Sequence, residues 1–287
     1  MQGKTAVVTG ANSGIGKAAA TDLARRGAHV VMTARDGARG EAARDEVRHA
    51  SGNPDVELLL ADFAALDDVR RLARELTERE PRVDVLINNA GLMLDERHET
   101  RDGFETTFQV NHLAPFLLTC LLFPKLAASA PARIVTVASD AHKRGGALDF
   151  DDLQSRRSYF GFAVYGRSKL ANVLFTRELA RRIAGSGVTA NCMHPGVVAT
   201  GFAADGDTSG VFALLMRVAR PFMLTPEQGC DTLVWLASSP EVEGVSGEYF
   251  HKRRRRRPSR HALDDAAARR LWEASVAMTG APAVGSP

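Results

Sequence analysis

Short apolar segments rich in β-branched residues alternate with longer helical patterns over the first two-thirds of the chain, and this alternation constrains the fold most strongly. Each short segment is apolar nearly throughout, as expected for strands that helices cover on both faces. The six candidate strands are Thr5–Thr9, His29–Thr33, Val56–Leu60, Val83–Asn88, Arg133–Ala138 and Val188–Met193. Right-handed crossovers between them predict an α/β domain with a doubly wound parallel sheet of about seven strands and helices on both faces.

The absence of an internal repeat or a long linker predicts one domain over residues 1–279, followed by a disordered tail at 280–287. The segment 201–225 interrupts the alternation, because it is rich in Gly and Asp at first and amphipathic afterwards. It predicts a mobile helical lid over the substrate, although the part at 211–224 could instead lie on a membrane surface. A helix at 226–238, a short strand at 248–250 and a last helix at 263–278 are predicted after it.

Composition excludes several classes of protein. A content of 45% hydrophobic residues in 287 supports a large core and disfavours disorder. The three cysteines form no C-x-x-C pair, so a disulfide framework and a structural zinc site are not expected, and a cytoplasmic location is predicted. No targeting segment is expected before the first strand. The longest apolar stretch, 113–123, is shorter than the roughly 20 residues of a membrane span and predicts a buried helix instead.

The net charge of +3 depends on a single segment. Residues 252–260 read KRRRRRPSR and hold seven basic residues, which leaves 30 basic residues against 34 acidic ones elsewhere. The chain outside this segment is therefore acidic, and no nucleic acid is expected as a partner. The arginine run, Arg253–Arg257, is interpreted as a solvated loop, while contact with an acidic substrate or subunit, or with nucleic acid or an anionic membrane, stays open as an alternative.

A glycine-rich turn, 10–16, follows the first candidate strand directly and precedes a helix-forming segment. Glycines at Gly10, Gly14 and Gly16 allow positive φ and a close approach of the backbone to a pyrophosphate, while the helix N-terminus supplies N–H donors. The turn predicts a Rossmann-type dinucleotide site. An ordinary glycine-rich turn is the alternative for this motif alone.

The turn has the spacing Gly-x-x-x-Gly-x-Gly and resembles that of the short-chain dehydrogenase/reductase family. Further matches are Asn88-Asn89-Ala90-Gly91 after the fourth strand, Ser139 after the fifth, and Tyr165-Gly-Arg-Ser-Lys169 at the next helix. The resemblance covers nearly the whole chain and is closest to the retinol dehydrogenase-like branch, through residues 168–180, His194-Pro-Gly-Val and Arg270-Leu-Trp-Glu273. It implies a small-molecule carbonyl or alcohol substrate and a possible homodimer, while the shortness of the apolar stretch at 113–123 predicts no membrane span.

The end of the second strand predicts NADP(H) as the coenzyme. Ala34 stands where NAD-preferring members usually carry an acidic residue, and Arg35 follows, where a base accommodates a 2′-phosphate. Asp36 is interpreted as a helix cap, with repulsion of the phosphate as the alternative. Including what the resemblance implies, coenzyme contacts are expected from Gly10, Asn12, Ser13, Gly14, Ile15, Gly16, Arg35, Asp62, Asn89, Ala90, Gly91, Tyr165, Lys169, Pro195, Gly196, Val198 and Thr200. For Asp62 a helix cap is the alternative, and for 195–200 a plain turn.

Tyr165 and Lys169 are four positions apart, which places both side chains on one face of a helix. A nearby ammonium favours the phenolate, so the pKa of Tyr165 is expected to be lowered and Tyr165 is predicted to be the general acid/base. Ser139, at the end of a central strand, is predicted to donate a hydrogen bond to the substrate oxygen. By resemblance, Lys169 also binds the nicotinamide ribose, and Asn111 holds a water that links Lys169 to solvent.

These residues predict an NADPH-dependent carbonyl reductase or alcohol dehydrogenase for a fairly apolar retinoid-, steroid- or polyketide-like substrate. A non-catalytic NADP(H)-binding regulatory or scaffold protein is the alternative. Asp149, Asp151 and Asp152 could form a paired-carboxylate site, but a solvated loop with a helix cap is the preferred interpretation. His142 could line the substrate pocket or lie at the surface.

Overall fold

An eight-stranded sheet organises residues 1–198 and 223–285, the part of the chain that the computed structural model describes. The strands are β1 (Thr5–Val8), β2 (His29–Ala34), β3 (Val56–Leu60), β4 (Val85–Asn88), β5 (Ala132–Val137), β6 (Val188–Met193), β7 (Tyr249–His251) and β8 (Arg254–Arg255). Their order is β3-β2-β1-β4-β5-β6-β7-β8, and all neighbours are parallel except β7 and β8. The chain is a single α/β domain of the doubly wound type, as the alternation predicted.

Neighbouring residues of each central strand enter cores on opposite faces of the sheet. On β1, Val7 packs in one core cluster while Ala6 and Val8 pack in the other. The main helices are α1 (Gly14–Arg25), α2 (Gly37–Ser51), α3 (Leu66–Arg79), α4 (Thr106–Phe108), α5 (Ala114–Ala128), α6 (Gly161–Arg182), α7 (Pro226–Ser238) and α8 (Asp265–Thr279). Helices α1, α2 and α7 cover one face, and α3, α5 and α6 cover the other. Full burial on both faces explains why the strands are apolar nearly throughout.

Helices α4 and α5 form one continuous helix, Thr106–Ala128, with a π-helical turn at Gln109–Leu113. Within the described parts of the chain, this is the one helix that is long and apolar enough to cross a membrane. In the structure, however, 72% of its most apolar window is buried inside the protein. Its apolar composition is therefore accounted for by its position in the core, as expected for the stretch at 113–123.

The structure differs from the predictions at two places near the C-terminus. The arginine run, expected to be a loop, contains β8, which pairs with β7 as an antiparallel hairpin and adds an eighth strand to the sheet. The tail predicted from residue 280 packs on the core instead, since Ala281 and Val284 are buried. A short edge strand in a charged run gives little local signal, because its pairing depends on β7.

The predicted lid at 201–225 and the amphipathic segment at 211–224 lie almost entirely outside the described residues. The chain on either side of residues 199–222 comes together, because Val198 and Leu224 form a β-bridge and the Leu224 N–H donates to the carbonyl of Val197 at 2.9 Å. Val198 and Leu224 lie beyond the carboxyl end of β6. Ligands of this fold bind at the carboxyl ends of the strands.

Candidate active site

The glycine-rich turn between β1 and α1 has a backbone that only glycine fits well. Gly10 has φ +62° and Gly14 has φ +53°, in the left-handed region. A Cβ on Gly16 would lie 2.5 Å from both the Gly10 carbonyl oxygen and the Asn89 amide nitrogen. Ser13 is the N-cap of α1, but its side chain makes no capping hydrogen bond, and the first turn has no acidic residue. The turn and the free N–H groups of α1 therefore suit a pyrophosphate.

Asn89 holds this turn against the end of β4. Its side-chain amide donates to the carbonyls of Thr9 and Gly10, at 2.8 and 3.1 Å. The backbone N–H groups of Asn89 and Ala90 both donate to the Thr9 hydroxyl, at 2.9 and 3.1 Å. The Asn89 side chain is thus engaged in shaping the predicted phosphate turn, while its place beside the predicted adenosine ribose stays a prediction.

Arg35 is exposed at the end of β2 and has no hydrogen bond or ion pair with the described residues. The neighbouring carboxylate is engaged, because Asp36 is the N-cap of α2 and accepts a hydrogen bond from the Arg39 N–H at 2.8 Å. The capping interpretation of Asp36 is therefore confirmed. The Arg35 guanidinium therefore remains available to an anion at the carboxyl end of β2.

Asp62, after β3, forms a turn and does not cap a helix. Its carboxylate accepts from the Ala64 N–H at 2.9 Å, and the N-cap of α3 is Ala65. The side chain is exposed at the carboxyl end of the sheet, where adenine contact is predicted.

Gly196 of the segment 195–198 has φ +89°, and a Cβ there would lie 2.9 Å from the Leu224 side chain. Val198 is buried against Gly229, which also approaches Ile15 at the start of α1. This segment therefore borders the glycine-rich turn. Thr200, a further predicted contact, lies outside the described residues.

Ser139 and Tyr165 meet across the site through a hydrogen bond between their side chains. Ser139 follows β5 and is the N-cap of a 3₁₀ turn, Asp140–Lys143. Its hydroxyl also accepts a hydrogen bond from the Ala141 N–H at 3.2 Å. Burial raises the pKa of Tyr165 to about 12, and the Ser139 hydrogen bond opposes this only in part. The lowered pKa expected for Tyr165 from the sequence is therefore not found in the protein alone, because desolvation outweighs the Ser139 hydrogen bond.

Lys169 lies behind the Tyr165 ring, with its Nζ 5.6 Å from the ring centroid. Its ammonium donates to the Val137 carbonyl at 3.1 Å, and the side chain is almost fully buried. Burial lowers the pKa of Lys169 to about 8. This lysine is therefore poised to exchange a proton near neutral pH, which is unusual for an ammonium group.

Asn111 lies inside the π-helical turn and is fully buried. Its side-chain amide donates to the Leu92 carbonyl and to the Ser168 hydroxyl, each at 2.9 Å, and its oxygen accepts from the Leu92 N–H at 2.8 Å. A Cβ on Gly91 would lie 3.1 Å from the Asn111 oxygen and 3.2 Å from the Lys169 Nζ. The structure therefore brings Asn111, Lys169 and Gly91 together, and a π turn inside a helix is a frequent feature of functional sites.

Two glycines with no role predicted from the sequence, Gly145 and Gly166, allow this arrangement. A Cβ on Gly166 would lie 2.7 Å from the Ala141 carbonyl oxygen, and one on Gly145 would lie 2.5 Å from the Arg167 nitrogen. The segment after Ser139 can therefore press directly onto α6, beside Tyr165. The signal available in the sequence is the glycine inside the motif Tyr165-Gly-Arg-Ser-Lys169.

His142 is fully buried and holds the Ser139 segment in place. One ring nitrogen lies 2.7 Å from the Ser139 carbonyl, and the other accepts from the Ser259 N–H at 3.1 Å. This pattern requires the neutral ring, with the proton on Nδ1, and burial lowers the pKa of His142 accordingly. His142 is therefore neither at the surface nor free to meet a substrate.

Three acidic residues that follow the 3₁₀ turn belong to a structured loop; they are Asp149, Asp151 and Asp152. Asp152 accepts from the Arg156 and Arg157 N–H groups at 2.8 and 3.0 Å, and Asp149 accepts from the Asp151 N–H at 3.0 Å. Among the described residues, no cluster of His, Cys, Asp or Glu could hold a metal ion. The candidate site itself offers proton donors and acceptors from Ser139, Tyr165 and Lys169.

Comparison with known proteins agrees with this geometry. The family model described as short chain dehydrogenase matches residues 4–209. Human "Retinol dehydrogenase 14" is 47% identical over 294 residues, covering 98% of this chain and 87% of that protein.

Among solved structures, an uncharacterized protein from Mycobacterium paratuberculosis is 35% identical with a TM-score of 0.79, covering 100% of this chain and 96% of that one. A protein from Beutenbergia cavernae, provisionally named NAD(P) dependent gluconate 5-dehydrogenase and solved with NADP at low occupancy, is 34% identical. Its TM-score is 0.69, with 87% of this chain and 95% of that one covered. The chain therefore belongs to the short-chain dehydrogenase/reductase family and to its retinol dehydrogenase-like branch.

Proposed function

We propose that this protein is an NADPH-dependent carbonyl reductase or alcohol dehydrogenase that acts on a fairly apolar ketone, aldehyde or secondary alcohol. Family membership establishes the coarser statement, that it oxidises alcohols or reduces carbonyls with a nicotinamide coenzyme. The similarity to retinol dehydrogenases supports an apolar, retinoid-like substrate. The cytoplasmic location stays a prediction, with which three buried, free cysteines are compatible.

The hydrogen bond between Ser139 and Tyr165 carries this proposal. When bound, NADPH supplies the hydride. A substrate carbonyl that displaces this hydrogen bond receives a hydrogen bond from Ser139 and the proton of Tyr165, which stabilises the charge that develops on its oxygen. Because the raised pKa of Tyr165 keeps the phenol protonated at neutral pH, the residue is in the state that reduction needs. Lys169 then returns the proton, and in oxidation each transfer runs in reverse.

The coenzyme preference rests on the contrast between Arg35 and Asp36. The Arg35 guanidinium is exposed and unpaired among the described residues, while the Asp36 carboxylate is engaged at the N-terminus of α2. A 2′-phosphate beside Arg35 gains a charge-assisted hydrogen bond. This supports NADP(H) over NAD(H).

The test is turnover of NADPH with a panel of ketones and aldehydes by the Tyr165→Phe variant. We expect at least a thousandfold loss of kcat, since the proton donor is removed while the ring and its packing remain. Tyr159→Phe is the matched control, because the Tyr159 hydroxyl contacts Glu105 and the Leu94 carbonyl instead. Near-normal turnover by Tyr165→Phe would refute the role of Tyr165. NADPH binding without turnover in the wild type would favour the regulatory alternative.

A further inference from the structure

A cavity of about 350 Å³ lies where the arginine run meets α6 and β7. Its lining includes four arginines, together with Glu248 and Tyr249; the arginines are Arg177, Arg255, Arg256 and Arg257. None of the residues predicted to bind coenzyme or to act in catalysis lines it. The cavity is therefore a separate feature, and the function proposed above leaves it without a role.

The arginines of this cavity are only partly neutralised. Arg255 pairs with Glu248 at 3.5 Å, and Arg177 pairs with Asp265 at 2.9 Å. Over the ranges 1–198 and 223–285, neither Arg256 nor Arg257 has an ion-pair partner. The cavity consequently concentrates positive charge in a recess, which attracts an anion of complementary size.

We propose that this cavity binds the phosphate group of a small phosphorylated molecule, which accepts hydrogen bonds from the free guanidiniums of Arg256 and Arg257. Guanidinium groups suit phosphate because they can donate two parallel hydrogen bonds to its oxygens. The cavity volume lies in the range of small-molecule sites and leaves room for a small organic part beside the phosphate.

The experiment is calorimetric titration with inorganic phosphate against sodium chloride of equal ionic strength. Arg256→Gln and Arg257→Gln should each weaken phosphate binding about tenfold, as expected for losing a charge-assisted hydrogen bond. The matched control is Arg254→Gln, which removes the same charge from the same run at a residue that does not line the cavity. It should change the affinity by less than about twofold.

Tyr249→Phe is a second control. The Tyr249 hydroxyl is buried and has no hydrogen-bond partner among the described residues, so this variant should keep the phosphate affinity of the wild type. An unchanged affinity in both arginine variants would overturn the proposal, as would an equal loss in Arg254→Gln or no binding beyond that of chloride.

Inorganic phosphate could also occupy the predicted coenzyme site. The titrations are therefore repeated with saturating NADPH and with Arg35→Gln, and binding that both treatments abolish would assign the phosphate to the coenzyme site and reject the cavity. Phosphatidylcholine vesicles with and without phosphatidic acid distinguish a lipid phosphate from a soluble one. If the protein co-sediments with the phosphatidic acid vesicles and Arg256→Gln removes this co-sedimentation, the bound phosphate comes from a lipid headgroup. If the protein binds inorganic phosphate but does not co-sediment with the vesicles, the ligand is a soluble molecule.

Discussion

At the scale of single residues, opposite charges stand side by side at the carboxyl end of β2, and only one of them is free. Arg35 is exposed and unpaired among the described residues, whereas Asp36 is held by the backbone of α2. The guanidinium can therefore turn toward a 2′-phosphate without breaking an existing contact. Little reorganisation is needed, which favours binding.

We expect Arg35→Asp to weaken NADPH binding about a hundredfold, because it removes a charge-assisted hydrogen bond and adds a second negative charge. NADH lacks the 2′-phosphate and should lose no more than about threefold. Fluorescence titration of both coenzymes measures this difference. Arg254→Asp on β8, at the opposite edge of the sheet, controls for the change in net charge. An equal loss for NADPH and NADH would contradict the assignment.

At the scale of elements, helix ends and strand ends together build the site. The 3₁₀ turn after β5 presses onto α6 through Gly145 and Gly166, so that Ser139 reaches Tyr165. Likewise, α2 begins directly after β2, and its first turn is fixed by Asp36. The candidate site therefore depends on how these helices start.

Asp36→Ala should lower the free energy of unfolding by about 1 kcal/mol, because the Arg39 N–H loses its capping acceptor. Asp36→Ser should retain most of that stability, since a serine hydroxyl also caps a helix. Urea unfolding of the two variants measures the difference. If they are destabilised equally, capping is not what Asp36 contributes, and loss of its charge has to explain the effect.

At the scale of the whole molecule, His112 joins the helix α4–α5 to α6 and α8. Its ring contacts Phe175 of α6, and its Nε2 lies 2.9 Å from the Ser275 hydroxyl of α8. Complete burial lowers its pKa to about 3, well below the ordinary value of 6.5. In the folded protein this histidine is therefore neutral, and protonating it requires the packing of three helices to open.

This burial predicts acid lability. Below the unfolded pKa of 6.5 the unfolded chain binds a proton at His112 that the folded chain does not, so stability falls as the pH drops from 6.5 toward 3. Thermal midpoints measured between about pH 7 and about pH 5 should fall less steeply for His112→Gln than for the wild type.

His29 serves as the opposite control. Its partial burial opposes the charge, but Asp55 and Glu80 outweigh this, and the pKa of His29 is raised. Its protonation therefore stabilises the folded protein at low pH, so His29→Gln should show a steeper decline. A His112→Gln slope equal to that of the wild type would rule out His112 as a source of acid lability.

Much of the fold and the identities of the candidate residues followed from local patterns. The doubly wound sheet, the glycine-rich turn and the pair Tyr165 and Lys169 could be predicted because strand burial, positive φ and helical spacing each leave a short-range trace in the sequence. The capping role of Asp36 was predictable for the same reason, since its acceptor and donor lie three residues apart.

Contacts between segments far apart in the chain were decided only by the tertiary structure. The raised pKa of Tyr165 depends on the packing that desolvates it, the link from His142 to Ser259 spans 117 residues, and β8 forms only by pairing with β7. The same holds for the cavity that gathers Arg177 with Arg255–Arg257. Burial and pairing at such distances are sums over many contacts, so no local pattern records them, and only the folded chain shows which side chains are left without a partner.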